Sequence, residues 1–197
     1  MNKLLILDNY DSFTYNLVQL VEQHGGWDYE VIKNDKIDLE EVGKYQKILL
    51  SPGPGLPKNA GIMPQVIKTF AAKKSILGIC LGHHAIAEAF GGQLYNFSQP
   101  VHGIQRKTSI LEEDILFKNL PNTIEVGLYH SWAVQKENFP KDLLITALSE
   151  KGVIMALQHK TFDLRSVQFH PESIMTAYGR EMVWNWLNKK TQSHLFP

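Results

Sequence analysis

Ser75-Ile76-Leu77-Gly78-Ile79-Cys80-Leu81-Gly82-His83-His84-Ala85-Ile86-Ala87-Glu88-Ala89-Phe90-Gly91-Gly92 decides how this chain folds. The stretch opens as a short apolar run, turns at Gly-Ile-Cys-Leu-Gly, and continues with Ala85, Ile86, Ala89 and Phe90 at the spacing of one helical face. A residue flanked two positions each way by glycine, between a strand and a helix, has the layout of a nucleophile elbow. The glycines are required because a Cβ at either position of so tight a turn collides with neighbouring backbone. At the apex stands Cys80, the only cysteine of the chain. A helix N-terminus carries unpaired N–H groups and partial positive charge, which favour the thiolate. The amide of Leu81, next in line, is placed to donate to an oxyanion. The alternative reading is a buried cysteine that packs as a small hydrophobe.

A strand that turns directly into a helix implies a parallel sheet, and the chain before Ser75 supplies its other strands. Leu4-Leu5-Ile6-Leu7 is a continuous apolar run, as in a strand covered on both faces. The polar turn Asp8-Asn9-Tyr10-Asp11-Ser12 follows, with Asp11 or Ser12 as the expected cap of a helix carrying Phe13, Leu17, Leu20 and Val21 and ending at Gly25-Gly26. The acidic groups of that turn are read as capping groups in preference to metal ligands. Tyr29 to Ile32 is a second strand, Asp38 to Tyr45 a short helix and Lys47 to Leu50 a third strand. The order β-α-β-α-β is the doubly wound signature. Ser51-Pro52-Gly53-Pro54-Gly55-Leu56-Pro57 leaves the carboxyl end of that third strand, where open α/β sheets bind ligands. Its prolines stiffen the loop, and its glycines let backbone N–H groups approach an anion or a carboxylate. A helix from Met63 to Lys73 then leads into the cysteine stretch.

Beyond Gly92 the pattern changes to short alternating or β-branched runs at Gln93–Tyr95, Ile104–Gln105, Thr108–Ile110, Thr123–Val126 and Ile145–Leu148. These predict an antiparallel β segment, with one helical turn near Ile115–Phe117. Tyr129 to Val134 lies within it and alternates His130/Trp132 with Tyr129/Ser131, as a sheet edge or a pocket wall would. Val153–Leu157 and Ser166–Phe169 read as a strand pair turning around Lys160 to Asp163. His170-Pro171-Glu172-Ser173 then leaves a strand end. Proline fixes the chain after His170, and Glu172 is placed to bind the ring nitrogen that does not face a nucleophile. Such a histidine takes a proton from Cys80 and returns it to a leaving group. A closing helix is expected from Met175 to Asn188, with a frayed tail from Lys189. The expected fold is therefore α/β: an open, mostly parallel sheet flanked by helices, with an additional antiparallel β segment.

Composition bounds the function. With 197 residues, 44% hydrophobic and 20% charged, the chain fits one globular domain with a substantial core. Lys plus Arg equals Asp plus Glu at 20 each, so nothing points to nucleic acid or to an anionic membrane surface. No apolar run approaches the roughly 18 residues of a membrane span. A single cysteine excludes an intrachain disulfide, and Met1-Asn2-Lys3 runs directly into the first strand, so the expected location is the cytoplasm.

The combination Leu7–Asn16, Leu50–Gly55, Gly78–His83, His130–Ser131 and Gln168–Ser173 resembles the class I (triad) glutamine amidotransferases nearly end to end. Within that family it is similar to the glutamine subunits of chorismate-using synthases. The resemblance implies a flavodoxin-like sheet and one amidotransferase domain over residues 1–192, with 193–197 as a tail. It implies hydrolysis of L-glutamine to glutamate and ammonia through a γ-glutamyl thioester on Cys80. His170 would serve as base and acid, oriented by Glu172, and the Gly53 and Leu81 amides would form the oxyanion hole. Gly53, Pro54, Gly55, Ser131 and Trp132 would hold the amino-acid end of glutamine. Ammonia would pass to a separate synthase subunit that makes anthranilate for tryptophan synthesis, or aminodeoxychorismate for folate synthesis. The Asp8–Asn16 turn and the loops around Cys80 are the expected contact. Chorismate and metal chemistry belong to that partner, so neither a cofactor nor a metal is assigned here.

One position departs from the family pattern. Glutamine usually follows the Gly-His pair and helps bind substrate; His84 stands there. Neutral imidazole offers one donor and one acceptor where an amide offers more, so weaker or pH-dependent glutamine binding between pH 6 and 8 is expected. A metal held by His83 and His84 is disfavoured, since adjacent helical residues point about 100° apart. Two readings stay open beside the amidotransferase: a non-catalytic regulatory partner, and a free-standing thiol hydrolase of other γ-glutamyl bonds.

Overall fold

The computed structural model describes residues 2–189; the expected tail at 193–197 and the end of the expected domain at 192 lie outside the described residues. The apolar runs of the first half form β1 (Lys3–Asp8), β2 (Asp28–Lys33), β3 (Lys47–Leu50) and β4 (Ser75–Ile79). Between them lie α1 (Thr14–His24), α2 (Leu39–Val42) and α3 (Met63–Phe70), and α4 (Leu81–Ala89) follows β4. The second half contributes β5 (Leu94–Ile110), β6 (Thr123–Val134), β7 (Leu143–Ser149), β8 (Ile154–His159), β9 (Leu164–Val167) and α5 (Gly179–Asn188).

All nine strands join one sheet in the order β2-β1-β3-β4-β9-β8-β7-β5-β6. The first five are parallel, and β8, β7, β5 and β6 extend the sheet antiparallel from β9. The antiparallel segment is thus a continuation of the parallel sheet, inserted in the chain between its fourth and fifth parallel strands, and four of the eight strand pairings are antiparallel. Helices cover both faces of the central parallel strands β1, β3 and β4, which is why these read as apolar runs, while β2 at the sheet edge is only partly buried. Leu17, Val21, Met182, Val183 and Trp186 of α1 and α5 pack on Leu4, Ile6, Leu49 and Leu77. Val42, Met63, Ile67, Ala85 and Ile86 of α2, α3 and α4 pack on Leu5, Leu7, Ile48 and Leu50.

Several boundaries differ from expectation for identifiable reasons. The runs at 94–95, 104–105 and 108–110 are one bent strand, β5, whose register with β6 slips between Asn96/Val101 and between His102/Ile104. Pro100 and Gly103 (φ 64°) sit in those bulges and resemble turn residues in sequence. The last helix starts at Gly179, four residues later than expected. Residues 171–178 form turns around His170, where Ser173 N donates to His170 O and Ala177 N to Glu125 O. Lys189 is anchored where fraying was expected, its ammonium 2.8 Å from the Asp163 carboxylate.

The turn after β1 is organised differently from a simple cap. Asp8 accepts from Tyr10 N at 2.8 Å, Asp11 N at 3.2 Å and Thr14 Oγ1 at 3.0 Å, and pairs with Lys33 at 2.5 Å. Asp11 accepts from Phe13 N at 2.8 Å, one residue ahead of the helix, and Phe13 occupies the N-cap without a side-chain bond. Among the described residues, no group of three or more His, Cys, Asp or Glu is arranged to hold a metal ion.

Candidate active site

The carboxyl ends of β1, β3, β4 and β9 converge on one edge of the sheet, around the point where the strand order reverses between β1 and β3. Cys80 stands between the last residue of β4 and the first of α4 with φ 51° and ψ −95°. A non-glycine residue at positive φ is strained, and such strain persists only where the surroundings enforce it. Here Cys80 N donates to Val167 O at 2.9 Å and His84 N donates to Cys80 O at 3.1 Å. The flanking glycines are sterically required: a Cβ on Gly78 would lie 2.6 Å from Gly82 O, and one on Gly82 would lie 2.8 Å from Leu50 Cβ. The expected elbow is therefore present, with the thiol at the N-terminus of the nine-residue α4.

His170 comes to the same edge just past β9. Its N–H donates to Gly127 O at 3.1 Å, and Thr176 Oγ1 donates to its carbonyl at 2.6 Å. Nδ1 donates to Glu172 Oε1 at 2.6 Å, with the two side chains 3% and 0% exposed. Nε2 is buried with no hydrogen-bond partner of good geometry, yet Cys80 lies close enough to act on the ring. Burial pulls the imidazole's pKa down, but hydrogen bonding and charge from Cys80 and Glu172 outweigh it and raise the value to about 10. At neutral pH the proton therefore rests on the imidazole. Phe13 and Tyr129 stand edge-on to the ring at centroid distances of 5.6 and 5.1 Å. Tyr129 of β6 thus packs directly against the His170 ring. Phe13 reads in sequence only as an apolar face residue, since nothing in its spacing says that it faces a catalytic ring.

The Ser51–Gly55 loop crosses beside Cys80. Asn9 N donates to Ser51 Oγ and Asn9 Nδ2 to Ser51 O, both at 2.8 Å, fixing the loop to the end of β1. Gly53 is pressed between Asn9 and Leu81: an added Cβ would lie 2.6 Å from Asn9 Cβ and 2.8 Å from Leu81 Cδ2. The two residues expected to supply the oxyanion hole are thus adjacent, and among the described residues neither amide donates to another group. Pro54 and Gly55 are exposed, with Gly55 at φ 75°. Ser131 and Trp132 are half-buried on β6, Ser131 facing the irregular stretch between Asn96 and Val101.

His84, expected as a substrate contact, lies in the interior beside Gln168, and only the pH-dependent part of that expectation meets a contrary observation. Its ring is 3% exposed, and Nε2 binds Gln168 Oε1 at 2.8 Å. Burial, partly offset by that hydrogen bond, holds its pKa down at about 4, so it stays neutral from pH 6 to 8 and gives no pH dependence there. His83 Nδ1 lies 2.9 Å from Ser166 Oγ, and burial keeps this ring neutral as well. Gln168 Nε2 in turn lies 3.8 Å from Cys80 Sγ. Gln168 belongs to a stretch that carries the family resemblance, but no sequence signal distinguishes its amide from an ordinary core contact.

Comparison with known proteins agrees with this geometry. The family model "Glutamine amidotransferase class-I" matches residues 5–190. Anthranilate synthase component 2 of Pyropia yezoensis is 46% identical over 187 residues, covering 93% of this chain and 98% of that one. Aminodeoxychorismate/anthranilate synthase component 2 of Bacillus subtilis is 43% identical, covering 93% and 95%. Among solved structures, a candidate GMP synthase subunit from Thermoplasma acidophilum superposes with a TM-score of 0.84 at 29% identity, covering 95% of this chain and 92% of that one.

Proposed function

The chain belongs to the class I glutamine amidotransferases, and from that premise we propose that Cys80, His170 and Glu172 are its catalytic triad and that it supplies ammonia to a chorismate-using synthase subunit. The observation that carries the triad is the strained Cys80 elbow facing a buried His170 whose far nitrogen is held by Glu172 at 2.6 Å. With the proton already on His170, the Cys80 thiolate attacks the γ-carbonyl carbon of glutamine. The negative charge that develops on the carbonyl oxygen is met by the Gly53 and Leu81 amides. His170 gives its proton to the leaving nitrogen, which departs as ammonia and leaves a γ-glutamyl thioester. Water then attacks the thioester, His170 takes its proton, and glutamate leaves as the thiolate is restored. Glu172 holds the ring through both transfers. Gly53, Pro54 and Gly55 on one side, and Ser131 and Trp132 on the other, hold the amino-acid end of the substrate.

The partner is argued from the relatives and from the surface. The Pyropia and Bacillus relatives are components of anthranilate synthase, and the Bacillus name adds aminodeoxychorismate synthase. The first pathway, anthranilate for tryptophan synthesis, is our primary assignment, and the Bacillus name favours aminodeoxychorismate, for folate, as the second. Ile174 is fully exposed two residues after Glu172, and Tyr10 on the turn after β1 and Tyr15 in the first turn of α1 are exposed. Apolar groups of this size beside a catalytic loop fit a covered interface. The cytoplasm is the compartment we assign; no described helix is long and apolar enough to cross a membrane.

The test is glutamine hydrolysis by the chain alone and with each synthase subunit, beside Cys80→Ala. We expect cysteine-dependent turnover that rises with the anthranilate-forming subunit, and Ile174→Asp to reduce that rise while Cys80 alkylation stays unchanged. Strong turnover insensitive to either subunit would support the free-standing hydrolase instead, and no turnover with either would support the regulatory partner.

A further inference from the structure

Four imidazole nitrogens near Cys80 are buried without partners, on His83, His84, His130 and His170, and only His170 has a role in the chemistry above. Of the other three residues, His84 alone connects to the nucleophile. We propose that His84 is a positioning residue: it fixes the orientation of the Gln168 amide so that the NH2 of Gln168 points at Cys80 Sγ. This inference rests on the triad reading and extends it to a residue outside the triad.

Gln168 is fully buried, so its amide cannot average over water. An amide has one face that only accepts and one that only donates. His84 Nε2 lies 2.8 Å from Oε1, which only accepts, so the contact is a hydrogen bond in the tautomer whose proton sits on Nε2. Nδ1 is then a lone pair without a hydrogen-bond partner, and the Trp132 backbone, which favours a protonated ring, does not outweigh burial. With Oε1 anchored, the donor end of the amide is the end 3.8 Å from the sulfur. A donor aimed at sulfur favours the thiolate over the thiol. Were the amide reversed, its oxygen would face the thiolate and repel it. The titratable groups around this relay are His170, backed by Glu172, from the loop after β9; His83 from α4; and His130 from β6, whose Nδ1 lies 2.8 Å from the Trp132 carbonyl oxygen. Burial keeps His84 neutral throughout the working range, so the tautomer, and not a charge, does the positioning.

The test is the pH profile of Cys80 alkylation by iodoacetamide in the full chain, which reads the thiolate without requiring glutamine turnover. We expect His84→Met and Gln168→Met each to move the alkylation profile to higher pH by about one unit, that is, about tenfold slower alkylation on its acid limb. His84→Gln, which restores an N–H donor to Oε1, is expected to stay close to wild type. The double variant His84→Met/Gln168→Met is expected to move no further than Gln168→Met alone. The proposal is overturned if Gln168→Met leaves the profile in place. It is equally overturned if His84→Met raises the KM for glutamine with the profile unmoved, which would make His84 a substrate contact. A full additional shift from His84→Met in the Gln168→Met background would also sink it. If the triad reading itself were wrong, glutamine hydrolysis would be absent from the wild type while the alkylation comparison could still be read.

Discussion

At Cys80 two requirements meet: a residue at φ 51°, where only glycine is comfortable, and a reactive side chain that glycine does not have. The strain is held by the hydrogen bonds at Cys80 N and O and made possible by Gly78 and Gly82, where an added methyl has no room. Gly82→Ala is therefore expected to cost about 2–3 kcal/mol, read by denaturant unfolding, and to lower turnover more than stability. His170 offers a prediction with a defined sign. Its folded pKa is raised to about 10 from an ordinary 6.5, so the folded state holds a proton that the unfolded state releases between those values. Its contribution to stability is complete below pH 6.5 and is lost as pH rises through about 10. The stability difference between wild type and His170→Gln is expected to shrink steadily across that window. Glu172→Gln removes the carboxylate that holds the ring and should lower kcat on the order of 100-fold or more, with KM for glutamine little changed. At this scale the sequence is informative where chemistry needs a rare residue in a rare context, as in Gly-x-Cys-x-Gly and His-Pro-Glu. It is uninformative at His84, Gln168 and Phe13, whose roles depend on which residues the fold sets opposite them.

Elements are legible in proportion to their burial. The central parallel strands are covered on both faces, so Leu4–Leu7 and Lys47–Leu50 announce themselves as apolar runs, and the helices between them show one apolar stripe each. β5 has an exposed face, and its bulges break its alternation into three apparent strands. The start of α5 falls later than the local pattern places it because residues 171–178 serve His170 and not a helix, a tertiary demand that local propensity does not carry. Lys47 is discordant in a parallel strand: fully buried on β3, its ammonium hydrogen-bonded to the Trp186 carbonyl and set against the rings of Trp27 and Trp186. Burial lowers its pKa from 10.5 to about 8. The folded state therefore releases a proton that the unfolded state keeps, and the penalty is full below pH 8 and fades as pH approaches 10.5. Lys47→Met is expected to gain up to about 3 kcal/mol at pH 7 and progressively less above pH 8. The Trp186 carbonyl keeps Lys189 N as a donor, so the substitution leaves no orphaned acceptor. Thermal unfolding at pH 7 and pH 10 would show whether the gain follows that order.

Across the whole molecule, one continuous sheet sets Cys80 and His170 at the carboxyl edge of its parallel half, while the antiparallel half brings Tyr129 against the His170 ring. The expected α/β sheet with an additional antiparallel β segment is present; that the two are continuous is not legible in sequence, because strand order across β9 and β8 is decided by pairing between segments and leaves no local trace. The same edge presents Tyr10, Tyr15 and Ile174 to solvent, so the face that makes ammonia is also the face on which a synthase subunit would sit. The central claim is that glutamine is opened by Cys80 through a thioester, and the most direct measurement is an acid-quenched incubation with glutamine followed by peptide mass spectrometry. The account predicts a γ-glutamyl adduct on the peptide holding Cys80, absent in Cys80→Ala and longer-lived in Glu172→Gln. Glutamine hydrolysis that proceeds without the adduct, or that persists in Cys80→Ala, would contradict it.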